Sequence, residues 1–247
     1  MASQYETGHA KNVANLQKLI EQVTVYTDYN PPVANLEVAN LQTLYTNSLA
    51  KLNEVEDKRN ANKAAIHSRQ VAFEPLKPIC TRIINQLEIL GLAQGTLDQA
   101  KSLNKLIQGG QKRKSNTTEN EGGTPPSGEP EGATVSTSRQ SYTQQADNFG
   151  ILLQLLSTIP TYNPNETDLQ LASLNTYQTS LMSATQAVDQ TEAELNNKFI
   201  ERNEILYADG SGLYSIAQNV KKYVKSAYGA NSPEFSNVSK IKFTDQK

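Results

Sequence analysis

The sequence predicts an all-α protein, an elongated antiparallel helical bundle made of two tandem three-helix repeats with central helices of about 40 residues. Three observations lead there. The phrase Tyr-Asn-Pro occurs twice, at Tyr29–Pro31 and at Tyr162–Pro164, and each time a leucine follows, Leu36 and Leu169. The two tyrosines stand 133 residues apart (162 − 29), and at that offset residues 16–74 lie over 149–207 without a gap. From Val33 and from Asn165 a long run follows with neither Gly nor Pro, to Phe73 in one case and Leu206 in the other. Eleven of the 59 overlaid positions are identical, among them Leu19/Leu152, Leu41/Leu174, Val55/Val188 and Arg69/Arg202. That identity is modest, and the match in type is stronger: Val23/Leu156, Val38/Leu171, Ile66/Phe199, Phe73/Leu206.

Each repeat opens on a short helix, Asn12–Thr27 or Gln145–Ile159. In the first, Val13, Leu16, Leu19, Ile20 and Val23 recur at the spacing of one helical face. Asn30 and Asn163 then suit N-caps, and Pro31 and Pro164 suit first helical positions. In the second repeat Asn165 and Asp168 offer an alternative cap.

A long helix is expected from Pro32 to Phe73 and from Asn165 to Leu206, about 60 Å at 1.5 Å per residue. Its seam steps by three and four residues: Val38, Leu41, Leu44, Ser48, Leu52, Val55, Arg59, Asn62, Ile66, Arg69, Phe73. The second seam runs Leu171, Leu174, Tyr177, Leu181, Thr185, Val188, Glu192, Leu195, Phe199, Arg202, Leu206. A third helix follows at Leu76–Ala93 and at Leu213–Tyr228, with Gly95 and Gly229 as C-terminal caps. The turn Asp209–Gly212 precedes the second of these. A short tail closes the chain: a helical turn at Ser232–Phe235 and an extended piece at Lys240–Phe243. The organisation is therefore repeat 1 at 10–108, a disordered linker at 109–142 and repeat 2 at 143–243, the repeats packing as one bundle. The linker is rich in Gly, Pro, Ser, Thr and Glu and has too few large apolar residues to offset its ordering entropy. Its Lys112-Arg113-Lys114 reads as a solubilising charge cluster.

Polar seam residues carry the first candidate sites. Arg59 of one repeat corresponds to Glu192 of the other, a pair that two packed long helices can bring together. Arg69 and Arg202 suit either an anion or partner site, or stems laid over the seam with a nearby partner for each guanidinium. In Lys221–Gly229 the cations Lys221, Lys222 and Lys225 interleave with Tyr223 and Tyr228. That pattern suits nucleic acid or a membrane surface. It equally suits a helix with cations near its C-terminus, where the dipole favours them, and this is the preferred reading.

Composition narrows the function. Net charge is −2, so bulk electrostatics favours neither nucleic acid nor an anionic membrane. Mean hydropathy is −0.56. The most apolar window, Ile151–Ile159, is too short to span a bilayer. The start of the chain shows no secretory signal, so a cytoplasmic location is expected and the glycosylation patterns at Asn116, Asn165 and Asn237 read as chance. Cys80 has no cysteine partner and falls beside Ile79, Ile83 and Ile84 on an apolar face. His9 and His67 are far apart, and neither belongs to a metal-binding pattern. No enzyme is expected, nor any catalytic, cofactor-binding or metal-binding residue.

The C-terminal stretch Lys221–Phe235, KKYVKSAYGANSPEF, resembles a segment that recurs in a group of uncharacterised bacterial all-helical proteins. The resemblance covers mainly the second repeat and implies the helical fold without an activity. The expected function is a non-enzymatic helical scaffold or protein-interaction module that binds a protein partner or itself. The alternative is a membrane-active helical protein resembling helical pore-forming toxins.

Overall fold

The computed structural model describes residues 4–109 and 141–245. Their order is α1 (Gln4–Thr24), a 3-10 turn (Ala34–Leu36), α2 (Val38–Phe73), α3 (Leu76–Ile89), α4 (Gln94–Gln108), α5 (Tyr142–Ser157), a second 3-10 turn (Thr167–Leu169), α6 (Leu171–Tyr207), α7 (Leu213–Tyr228) and α8 (Pro233–Ser239). The fold is all-α, with no strand among the described residues. Most of the expected linker lies outside the described residues. Its two ends belong to helices instead, since Gly109 caps α4 and Tyr142 opens α5.

The chain forms two compact units, residues 1–64 with 189–247, and residues 65–188. Both divisions fall inside helices, α2 and α6. In the first unit α1 contributes the stripe expected of it: Val13, Leu16, Leu19, Ile20 and Val23 are all buried. They pack with Leu36, Leu41 and Leu206, with Leu213, Ile216, Ala217, Val220 and Val224 of α7, and with Val238 of α8. In the second unit Leu76, Cys80, Ile83, Ile84 and Leu87 of α3 meet Ala100, Leu103 and Ile107 of α4. Phe149, Leu152, Leu153 and Leu156 of α5 and Leu174 and Leu181 of α6 complete that core. Burying one such leucine stabilises the fold by about 1.5–3 kcal/mol. Every expected seam residue of the long helices is buried or half-buried except Glu192, which is exposed.

Within the first unit, polar pairs fix the register of α2 against α6. Lys51 lies 2.8 Å from Glu201, Lys58 lies 2.8 Å from Glu194, and Thr191 donates to Asn62 at 3.1 Å. Residue numbers rise along α2 as they fall along α6, so these stretches run in opposite directions. Lys51, Glu54, Lys198 and Glu201 form a square of alternating charge with every edge at 2.8–2.9 Å.

The Asn-Pro pairs of the two phrases do not open the long helices as expected. Neither proline opens a long helix: α2 starts at Val38 and α6 at Leu171, each just after a 3-10 turn. A residue that precedes proline is pushed out of the helical region. Asn30 and Asn163 accordingly lie outside the helices, and helix formation waits several residues. The tyrosines hold the corner. Tyr29 Oη donates to the Leu36 carbonyl at 2.7 Å, and Tyr162 Oη to the Leu169 carbonyl at 2.9 Å. The leucine amides repeat too, donating to Val33 O at 2.9 Å and Glu166 O at 3.0 Å. The ends of α1 and α5, both 3-10 turns and the starts of α2 and α6 all recur at an offset of 133 (157 − 24, 167 − 34, 171 − 38).

Three further expectations are corrected. A three-helix reading omits α4, a full helix whose Leu103 and Ile107 are core residues. The cap after α3 is Gly91, at φ 63°, and not Gly95, which lies inside α4; Gly229, at φ 92°, does end α7. Lys240–Phe243 pairs with no strand. Lys240 ends α8 in helical geometry, at φ −72° and ψ −22°, and the residues after it are held by side chains of α1.

Each unit takes residues from both sides of 110–140. Cleavage at a protease site placed there is expected to leave the fragments co-eluting in size-exclusion chromatography; separation without denaturant would show that the units do not depend on both fragments. Tyr29→Phe and Tyr162→Phe are each expected to cost about 1 kcal/mol in chemical denaturation, because a buried carbonyl loses its donor. Burial, followed by Glu166, pushes the Tyr162 hydroxyl up to about 12 from 10.0. Its contribution is full below pH 10 and fades as pH rises towards 12, so Tyr162→Phe should flatten the loss of stability over that window.

Candidate functional site

Helix α7 presents two faces. Leu213, Ile216, Ala217, Val220 and Val224 face the core. Gln218, Lys221, Lys222 and Lys225 follow the i, i+3, i+4, i+7 spacing and form a neighbouring stripe. After the Gly229 cap the chain turns into α8, where the Ser232 hydroxyl accepts from the Phe235 amide at 3.1 Å and Pro233 takes the first helical position. That cap opens the helical turn expected at Ser232–Phe235, and it sets Phe235. The last described residues then return alongside and bring Lys242 and Phe243. Together these side chains, with Gln218 and Ser239, line a cavity of about 350 Å³.

The cavity holds four lysines and two phenyl rings, and no carboxylate is among its lining residues. Lys221 Nζ lies 5.0 Å from the centre of the Phe243 ring and donates to the Ile241 carbonyl. Lys225 Nζ lies 5.6 Å from the centre of the Phe235 ring. Burial, and then the charge of Lys242, holds the Lys221 ammonium below its ordinary value. Both causes act on Lys221 in the same direction, since burial and a neighbouring cation each disfavour its charged form. The Ser239 hydroxyl donates to the Ser236 carbonyl at 2.9 Å.

The wall carrying Lys242 and Phe243 is fixed by α1. Asn15 Nδ2 donates to the Lys242 carbonyl at 2.7 Å. Asn12 grips Thr244 at both backbone groups: its Nδ2 donates to the carbonyl at 2.7 Å, and its Oδ1 accepts from the amide at 2.9 Å. Asn12 Nδ2 also reaches Tyr207 Oη at 3.3 Å, and His9 Nδ1 lies 2.7 Å from the same oxygen. His9, Asn12 and Asn15 are all buried, at 3%, 1% and 8% exposure. A sequence reading centred on the apolar stripe misses this cluster. The signal was present, because His9 and Asn12 continue the stripe of Leu16, Leu19 and Val23 towards the N-terminus at helical spacing.

The other candidates behave as parts of the framework. Arg202 is buried, and its Nε and Nη2 donate to Asn203 Oδ1 at 3.1 and 2.8 Å, with the guanidinium 5.0 Å from the Phe199 ring centre. Arg69 stacks over Tyr142 at 4.3 Å. The identical arginines thus lie on aromatic faces, in different units. Arg59 pairs with Glu56 one turn away and faces the Phe199 ring. Cys80 is fully buried, and burial pushes its thiol up to about 12, which keeps it unreactive. His67 is exposed. Among the described residues no cluster of His, Cys, Asp or Glu is placed to hold a metal ion, and no helix is long and apolar enough to cross a membrane.

No family model, curated protein or solved structure matches the chain.

Asn12→Ala removes both bonds to Thr244. Faster hydrogen exchange at the Thr244 and Phe243 amides is expected, with the exchange of α7 unchanged. Unaltered exchange at Thr244 would show that packing alone retains the segment.

Proposed function

We propose that this chain is a non-enzymatic helical scaffold or protein-interaction module that acts in the cytoplasm, built by duplication of one helical unit around antiparallel long helices. The lysine–phenylalanine cavity is its recognition surface. That cavity is the observation carrying the reading. Ammonium groups bind by charge and rings bind by area, and this site joins four lysines to two phenyl rings. The Ser239 hydroxyl is turned to a backbone carbonyl and away from the role of a nucleophile. Support for duplication comes from the two corners, where the same tyrosine and leucine make the same bonds at a constant offset.

The test is co-purification from the native host with tagged full-length chain, wild type against the double variant Lys222→Glu, Lys225→Glu. A protein retained by the wild type and lost by the variant is the expected result. Identical retained sets would remove the cavity as a recognition surface. Leakage of anionic liposomes at low protein concentration would instead favour a membrane-active protein.

A further inference from the structure

We propose that the cavity takes an acidic peptide segment of a partner protein, with Asp or Glu carboxylates on Lys222, Lys225 and Lys242 and an apolar side chain seated on Phe235 and Phe243. The inference rests on the interaction-module reading and names the chemistry of what that module holds. Three features favour a peptide over a compact phosphate. The charge is spread out: Lys222 and Lys225 stand on α7, and Lys242 comes from the returning C-terminal segment. The stripe from Gln218 to Lys225 spans about 10 Å of helix axis, which is about three residues of an extended chain. Carboxylates on alternate residues of such a chain lie on one side of it and can meet separate lysines along the stripe.

The backbone points the same way. Compact phosphates are held by amides at a helix N-terminus. Here α7 offers its side and its last turn, with Lys225 there, and that end of a helix carries negative partial charge. The cations must therefore act through their stems, away from the axis. Lysine suits this, being a point charge on a flexible chain that accepts carboxylates over a range of positions. Lys221 is already engaged with the Ile241 carbonyl and the Phe243 ring, so it braces the site. A cavity of about 350 Å³ is near the low end of ligand pockets, roughly 300–1,000 Å³. It has room for one large side chain and its neighbours' carboxylates.

The experiment uses full-length protein and a fluorescein-labelled heptapeptide with three glutamates on each side of one phenylalanine, followed by fluorescence anisotropy. Saturable binding that weakens as salt is raised is expected. Alanine in place of the peptide's phenylalanine should weaken it about tenfold. Lys222→Glu with Lys225→Glu should abolish it while helix content by circular dichroism stays unchanged. The milder Lys222→Gln, at an exposed position, should weaken it as well and serves if the double variant loses helix. Binding that ignores the lysine changes would overturn the proposal. So would phenyl phosphate, or vesicles of anionic lipid, displacing the peptide at lower concentration than unlabelled peptide does. A lysine-dependent partner in co-purification together with no peptide binding would defeat this inference and leave the interaction module standing. Partners that bind regardless of the lysines would remove the cavity as the recognition surface, and no retained partner at all would defeat the module itself.

Discussion

Helix α1 has a single apolar stripe, and a stripe of that kind is stable only when another helix covers it. Much of that cover comes from the far end of the chain, where α7 supplies Ile216, Val220 and Val224. The same holds in the other unit, where α5 is covered by α4 across the 110–140 stretch. Neither half of the sequence thus carries a finished core. The first helix of each half completes a core with the later helices of the other half. This is why α2 and α6 each contribute residues to both compact units. A chain that folds this way must close contacts far apart in sequence before its core is rewarded, and so it depends on correct register in the long helices.

Register cannot come from the apolar seam alone, since a slip of one heptad along a regular seam still buries side chains. The charged square supplies what is missing. Lys51–Glu201 and Lys198–Glu54 cross between the two helices, and any slip breaks both, while Lys51–Glu54 and Lys198–Glu201 stay within α2 and α6. Solvent screens ion pairs of this kind, so they add little stability and their value lies in choosing one alignment. Glu201 shows the bias: its carboxyl, bonded first by Lys198 and then by Lys51, is held at about 2. A lowered carboxylate contributes above its ordinary range and stops contributing as pH falls through the folded value. The alignment is therefore secured across the whole neutral range.

The helical class and the inward seams were legible because they follow from period, which local sequence carries. The offset of 133 was legible because Tyr-Asn-Pro is rare and rigid. The start of the long helices was misread for a physical reason. Asn-Pro resembles a cap in isolation, and only the tyrosine bond to a carbonyl seven residues on reveals a corner. Helix α4 was missed because Gly95 looked like an ending, while the residue with the required positive φ is Gly91. The lysines of the candidate site were visible as an interleaved cluster. Their meaning was not, because Phe243 and Lys242 join them only after the chain returns, and sequence period says nothing about that return.

That return links the site to the core. The segment bearing Lys242 and Phe243 makes no helix and no sheet ladder, so its backbone groups need other partners. Asn12 and Asn15 provide them from α1, and Tyr207 with His9 holds Asn12 in place from behind. A side-chain amide buried in this way is costly unless it is paired. The pairing is available only when the two chain ends are together. The cavity is thus assembled by the same closure that completes the first core. A change that loosens α1 would remove one wall of the cavity while leaving the α7 lysines in sequence and in helix. Binding at the cavity and seating of the N-terminal helix are then two readings of one equilibrium, and a ligand that engages Lys242 and Phe243 stabilises α1 without touching it.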